Sequence, residues 1–158
     1  MKIFKLIILS RPKQWLKNLF VFAPLLFAGQ MLNFDLAVKS VLAFLAFSFT
    51  SSIVYIINDI VDREADRAHK KKRFRPLAAG EVNVFESLIF ALILAIIVVL
   101  ALLKLSIIFA LVIGVYVTMN LFYSLKLKHV VILDVFIISL GFMLRVEGGA
   151  AAIEVPIS

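Results

Sequence analysis

A chain of 158 residues that is 63% hydrophobic carries more apolar side chain than a soluble core of this size can hide, because soluble domains run at about 45–50% apolar. With no cysteine, a disulfide framework and a thiolate metal centre are excluded as well. The formal charge of +7 in such a chain points to anionic lipid headgroups and to topology, not to nucleic acid.

Residues 1–10 put Ile3, Phe4, Ile7 and Ile8 on one helical face, with Lys2 and Lys5 elsewhere, which is the pattern of a helix lying on the bilayer surface. No small-residue cleavage site follows, so the segment reads as retained, not as a signal peptide. Lys13, Trp15, Lys17 and Asn18 stand just before the first apolar stretch, where Trp and Lys commonly anchor to headgroups. A spanning helix needs about 20 apolar residues. Five stretches meet or approach that length: Leu19–Leu32, short and containing Pro24; Leu36–Ile57; Val84–Leu103; Leu105–Tyr123; and Val131–Ile153. The expected fold is an all-α, polytopic transmembrane helix bundle, one membrane domain over residues 1–158.

Lys and Arg set the expected orientation. Five of the 17 lie in residues 1–17, seven between Arg63 and Arg75, and two at Lys126 and Lys128. If the five spans alternate, these share one side, which should be the cytoplasm. The chain end at Glu154–Ser158 should emerge on the other side of the cell membrane.

The segment from Asn58 to Gly80 concentrates the candidate chemistry. Asn58, Asp62 and Asp66 recur every four residues, so on a helix they share one face about 6 Å apart; Asp59 is within a turn of Asp62. Mg²⁺ takes one or two carboxylates and completes its octahedron with water and substrate phosphates. The competing reading is an interfacial helix whose acids are solvated and paired with Arg63 and Arg67. Acid at a membrane boundary is costly without a partner, which brings the two readings level. The basic run that follows, Arg67, Lys70, Lys71, Lys72, Arg73 and Arg75, is either a positive-inside anchor or a set of charge-assisted donors for phosphate. Arg73 and Arg75 are the stronger phosphate candidates, and Lys70–Lys72 suit lipid headgroups. Pro76 and Gly80 bracket a defined turn. His69 reads as a hydrogen-bonded or solvated loop histidine before it reads as a metal ligand.

Further on, Tyr123, Lys126 and Lys128 end the fourth stretch, with anchoring and phosphate binding evenly balanced. Asp134 is an intramembrane acid, either functional or bridged to Lys126 or Lys128. Arg145 and Glu147 are expected to pair with other helices or to snorkel, and Gly148 and Gly149 to permit close helix packing.

The sequence N-D-x-x-D-x-x-x-D with R-P-L-A-A-G-E resembles the first aspartate-rich motif of the UbiA-type intramembrane prenyltransferase superfamily. Arg11-Pro-Lys-Gln-Trp-Leu-Lys-Asn18 with Val21-Phe-Ala-Pro24 is similar to the start of its decaprenyl-phosphate phosphoribosyltransferase branch. So are Tyr123–Asp134 and Gly141-Phe-Met-Leu-Arg145. The resemblance implies a bundle of about nine spans around a cavity open to cytosol and lipid. It implies transfer of 5-phosphoribose from phosphoribosyl pyrophosphate to a polyprenyl (decaprenyl) phosphate, with Mg²⁺, releasing pyrophosphate, in the synthesis of an arabinose donor for the cell wall. On matching positions, Asn58, Asp59, Asp62 and Asp66 would hold metal and pyrophosphate. Lys13, Lys17, Arg73, Arg75, Tyr123, Lys126 and Lys128 would be candidates for substrate phosphates. The family's second acidic motif lies after a sixth span. The chain is therefore expected to be the N-terminal part of a bundle completed by helices of the same or a partner chain, and to insert but not to turn over alone. An aromatic prenyltransferase and a channel or transporter subunit are the competing functions.

Overall fold

A computed structural model describes residues 2–124 and 131–156; among them every regular element is helical, with no strand. In chain order the elements are α1 (Lys2–Leu9), a 3-10 helix (Pro12–Phe22), α2 (Ala23–Phe27), α3 (Phe34–Val61), α4 (Arg63–Ala68), a short 3-10 turn (Lys72–Phe74), α5 (Val84–Leu102), α6 (Ile107–Phe122) and α7 (Val131–Ile153).

Among the described residues, three helices are long and apolar enough to cross a membrane: α3, α5 and residues Val135–Ile153 of α7. The two remaining expected spans are built differently. The fourth is α6, whose 16 residues give a rise of only about 24 Å against a hydrocarbon thickness of about 30 Å. The first is a composite: the eleven-residue 3-10 helix opens on Pro12, passes into the five residues of α2 with Pro24 in its first turn, and ends before Gly29 at φ +66°. Proline at a helix start has its missing donor where none is needed, and a glycine with positive φ ends the run without a Cβ penalty.

Helices α3, α5 and α6 each start on a side-chain cap. Asn33 accepts from the Leu36 amide at the head of α3, and Asn83 and Glu86 form a reciprocal capping box at the head of α5. Ser106 accepts from the Phe109 amide and donates to the Ala151 carbonyl at 2.7 Å, which fixes the start of α6 to the end of α7.

Helix α3 is the central element. It packs against α5, the 3-10 helix, α7 and α6. The main core gathers Val21, Ala43, Phe47, Phe109, Tyr116 and Ala152, with the Phe47 ring edge-on to Phe109 and Tyr116. Small residues let the helices close up, as the sequence led us to expect of Gly148 and Gly149. A Cβ on Gly148 would lie 2.6 Å from the Phe47 ring, and one on Gly149 would lie 2.1 Å from the Val21 carbonyl oxygen. Buried serines line the same face of contact: Ser48 accepts from Asn18 Nδ2, and Ser52 donates to the Ser10 carbonyl. Trp15 departs from its expected role as a headgroup anchor. Its indole N–H donates to Ser52 Oγ at 3.0 Å and its ring meets Phe49 edge-on, because a partly buried indole donor requires a partner and α3 supplies one.

Helix α1 exposes Ile3, Phe4, Ile7 and Ile8 and buries Leu9. It is pinned to the head of α5 by Lys2–Glu86 and Lys5–Glu81 ion pairs. An apolar stripe outward and cations at the rim suit a bilayer surface.

The charge asymmetry predicts opposite sides for the loop after α4 and for the end of α7. Single cysteines introduced at Lys71 and Val155 are expected to react with a membrane-impermeant maleimide from opposite faces, against a native background free of cysteine. Labelling of both from one face would contradict the alternation.

Candidate functional site

The site forms where α3 gives way to α4. Helix α3 ends at Val61, and Asp62 stands at the junction with φ −87° and ψ 4°. Its backbone N–H still donates to the Asn58 carbonyl at 2.9 Å, and the Asp66 amide donates to the Asp62 carbonyl at 2.8 Å. The helical path is thus nearly continuous, and it presents Asp59 and Asp66, two turns apart, to the same side. Both are buried, at 3% and 2% exposure.

Two carboxylates so deeply placed need cations, and three residues provide them. Arg75 returns after the Lys72–Phe74 turn and bridges the pair, with Nη1 at 3.1 Å from Asp59 Oδ1 and 2.5 Å from Asp66 Oδ2. Arg11 donates through Nη2 to the same Asp59 Oδ1, and Lys72 Nζ lies 3.7 Å from Asp66 Oδ1. Arg11 has left-handed backbone, φ 52° and ψ 59°, between α1 and the 3-10 helix. That conformation is unfavourable for a residue with a Cβ; here it turns the chain and sends the guanidinium over the Tyr55 ring, 4.7 Å from its centre. A cleft of about 310 Å³ opens on Arg11, Asp59, Lys71 and Arg75.

The loop beneath this cluster is compact. The Glu81 and Val82 amides both donate to the Pro76 carbonyl, Gly80 has φ +75°, and Leu77 and Val82 are buried. The turn expected between Pro76 and Gly80 is present. Arg67 Nε donates to the Ala78 carbonyl and its Nη1 to Glu64, so Arg67 ties α4 to that turn. His69 Nδ1 accepts the Lys71 and Lys72 amides, a loop-capping role.

Asn58, adjacent to Asp59, faces elsewhere. Successive helical residues diverge by about 100°, and Asn58 Oδ1 accepts from Ser124 Oγ at 2.5 Å. It lines a separate cavity of about 190 Å³ with Lys17, Tyr55, Tyr123 and Arg145, walled on one side by Ile138 and Phe142. Arg145 is 8% exposed. Its Nε donates to Asn18 Oδ1 at 2.7 Å, Nη1 to the Gly141 carbonyl and Nη2 to the Tyr116 hydroxyl.

The residues expected from the sequence therefore divide. Asp59, Asp66 and Arg75 meet in one cluster; Lys17, Asn58 and Tyr123 meet in the second cavity; Asp62 holds the helix junction. Lys13 is exposed, and Arg73 is exposed with its guanidinium over the Phe74 ring at 4.9 Å. Lys126 and Lys128 lie outside the described residues, as does the Asp134 side chain. Arg11 was missed as a site residue, although an arginine directly before Pro12 is steered away from helical backbone. Arg145 was read as a structural partner, and the structure puts it on a cavity wall.

Among the described residues no three acids or histidines come together as a metal cage. What is present is a pair of buried carboxylates with oxygen-only donors beside two arginines. That set fits Mg²⁺, which needs no more than one or two protein carboxylates when phosphates complete its shell.

The chain matches the UbiA prenyltransferase family over residues 18–158. It is 41% identical over 152 residues to a decaprenyl-phosphate phosphoribosyltransferase of Mycolicibacterium smegmatis, covering 94% of this chain and 48% of that protein. It is 40% identical over 152 residues to the protein of that name in Corynebacterium glutamicum, covering 94% and 46%. The chain thus spans about half the length of the curated relatives it matches. Its fold is similar to a UbiA homolog from Archaeoglobus fulgidus solved with DMAPP and Mg²⁺, at a TM-score of 0.77 and 23% identity, over 98% of this chain and 56% of that one.

Proposed function

The chain belongs to the UbiA prenyltransferase family, and from that premise we propose that it forms part of a Mg²⁺-dependent transferase that moves 5-phosphoribose from phosphoribosyl pyrophosphate to a polyprenyl (decaprenyl) phosphate. The product would serve as a precursor of an arabinose donor for the cell wall. It would act as a multi-pass protein of the cell membrane, with its site on the cytoplasmic side.

The observation that carries this reading is the Arg11–Asp59–Arg75–Asp66 cluster, set in a chain about 40% identical to proteins named for this activity. Its parts suit a diphosphate leaving group. Asp59 and Asp66 would hold Mg²⁺, as the metal in the Archaeoglobus homolog suggests for the family; bound there, it supplies positive charge that offsets the charge growing on pyrophosphate. Arg75, Arg11 and Lys72 would turn from the carboxylates to the phosphate oxygens, Arg with paired donors and Lys with a single one. Arg73, Lys13, Tyr123, Lys126 and Lys128 are further candidates for substrate phosphates. The bond from ribose C1 to the pyrophosphate oxygen breaks, its electron pair leaving with pyrophosphate. A lipid phosphate oxygen forms the new bond to C1. That oxygen is already anionic, so the chain needs no general base, and Asp59 and Asp66 act by position and charge.

Donor choice tests the reading. With Mg²⁺ present, phosphoribosyl pyrophosphate at about 100 times its Kd is expected to stabilise the protein by about 2.7 kcal/mol in thermal melts. An isoprenoid diphosphate at the same concentration is expected to do markedly less. Stabilisation by the isoprenoid diphosphate alone would favour an aromatic prenyltransferase and overturn the ribosyl assignment.

A further inference from the structure

Arg145 is a buried cation within a helix that crosses the apolar layer, and the three hydrogen bonds that fix its guanidinium all go to neutral oxygens, on Asn18, Gly141 and Tyr116. A charge at such a depth is costly without an anion. The nearby acids are engaged or remote; Asp62, one turn past Asn58, stands at the α3–α4 junction with an interaction of its own. Asp59 and Asp66 are held by Arg11, Arg75 and Lys72. Asp134 is eleven residues back along α7, about 16 Å along the axis. Glu147 is exposed, and two positions on, it projects about 200° away around the helix.

The guanidinium faces the cavity of about 190 Å³ between the 3-10 helix, α3, α6 and α7, and Lys17 brings a second cation to it. Asn58 and Tyr123 add polar groups on one side, while Ile138 and Phe142 form the other. The cavity is smaller than the roughly 300–1,000 Å³ of a site that encloses a drug-sized ligand. It admits a charged headgroup and leaves a hydrocarbon tail outside. It also differs in sign from the Asp59 cluster: among the described residues it presents cations and no acid, so a metal-free monoanion or dianion is its natural guest.

We infer that Arg145 and Lys17 form an anion subsite for a phosphate monoester, occupied by the headgroup of the isoprenyl phosphate acceptor with its chain along the Ile138–Phe142 wall. The subsite rests on the proposed transfer reaction and adds the acceptor's position to it. Asn58 and Asp59, neighbours on α3, then stand between the two halves of the reaction, Asp59 toward the diphosphate and Asn58 toward the incoming phosphate. Asn18 and Tyr116 are positioning residues that aim Arg145.

The test is direct binding of farnesyl monophosphate to the protein in lipid nanodiscs, with farnesol, ribose 5-phosphate and inorganic phosphate as competitors. Farnesyl monophosphate is expected to bind at least tenfold more tightly than any of the three. Arg145→Gln is expected to weaken it about tenfold to a hundredfold, as loss of a charged hydrogen bond does, and Lys17→Gln by less. Asn18→Asp guards against a folding defect. It keeps the shape, supplies a carboxylate to the guanidinium, and is expected to hold or raise the melting temperature while lowering farnesyl monophosphate affinity at least tenfold. Unchanged affinity in a folded Asn18→Asp or Arg145→Gln protein would overturn the subsite, and stronger binding of ribose 5-phosphate would overturn its assignment to the lipid. Binding of farnesyl monophosphate through Arg145 in a protein that, completed to the length of its relatives, transfers no phosphoribose would uphold the subsite and refute the proposed reaction.

Discussion

Asp59→Asn is expected to lower transfer by at least about a hundredfold in the protein with its full helix complement, the scale of losing one preorganised electrostatic contact to the reacting charge. Asp59 is the point where the cluster's charges meet: Arg11 and Arg75 both donate to its Oδ1. The amide keeps the size and one acceptor but removes the negative charge, so a metal held there would lose a ligand and two arginines lose their common partner. Leaving buried charge uncompensated costs about 3–5 kcal/mol when one member of a buried pair is removed. Both arginines are about a quarter exposed, so the cost here is expected at or below the low end. Glu64→Gln is the control. Glu64 pairs with Arg67 at the surface with three quarters of its side chain exposed, and such pairs contribute at most about 1 kcal/mol. The measurement is turnover together with thermal melting for both variants. Transfer near the wild-type rate in a folded Asp59→Asn protein would remove Asp59 from the chemistry.

Gly149→Ala is expected to destabilise the bundle by about 2 kcal/mol or more, in the range of overpacking a close contact. Alanine is the better helix former by about 1 kcal/mol, so a net loss has to come from the contact. The added carbon would lie 2.1 Å from the Val21 carbonyl oxygen and 2.9 Å from its carbonyl carbon. These are backbone atoms, and no rotamer change relieves them. The 3-10 helix must shift, and it carries Asn18, the partner of Arg145, and Trp15, the partner of Ser52. Gly114 in α6 is the matched control, since a Cβ there meets nothing within 4 Å; Gly114→Ala is expected to be neutral or to stabilise. Equal melting temperatures for the two variants would mean that α7 does not approach the 3-10 helix as described.

Much of the architecture was legible because the physics is local. Long apolar runs mark α3, α5 and α7, and the Asn33 and Asn83 caps mark where two of them begin. The first span was less legible. Pro12, Pro24 and Gly29 each have a local effect, but that the chain would answer with a 3-10 helix depends on Asn18 and Trp15 finding Ser48 and Ser52 on α3. The four-residue spacing put Asn58, Asp62 and Asp66 on one face, but the carboxylates that meet are Asp59 and Asp66, seven residues apart, because α3 ends at Val61 and Asp62 stands at the junction. Arg75 was legible from the paired donors of its guanidinium. The separation of Asn58 from Asp59 was not. Spacing shows which residues share a helix face, and it says nothing of what packs against that face; here Ser124 draws Asn58 one way and Arg11 draws Asp59 the other. Arg11 lies 48 residues from Asp59, and Arg145 lies 127 from Asn18. No window of sequence holds both partners.

On the proposed function, this chain supplies the diphosphate-holding half of a phosphoribosyl transferase acting on a lipid phosphate. The most direct measurement follows ribose label from phosphoribosyl pyrophosphate into the organic phase. Membranes containing the chain together with the further helices of its bundle are incubated with polyprenyl phosphate, with and without Mg²⁺. Label is expected in the lipid, requiring Mg²⁺ and polyprenyl phosphate, matched one for one by released pyrophosphate, and absent with Asp59→Asn. Pyrophosphate released from an isoprenoid diphosphate in place of phosphoribosyl pyrophosphate, or no labelled lipid from folded protein, would contradict the proposed function.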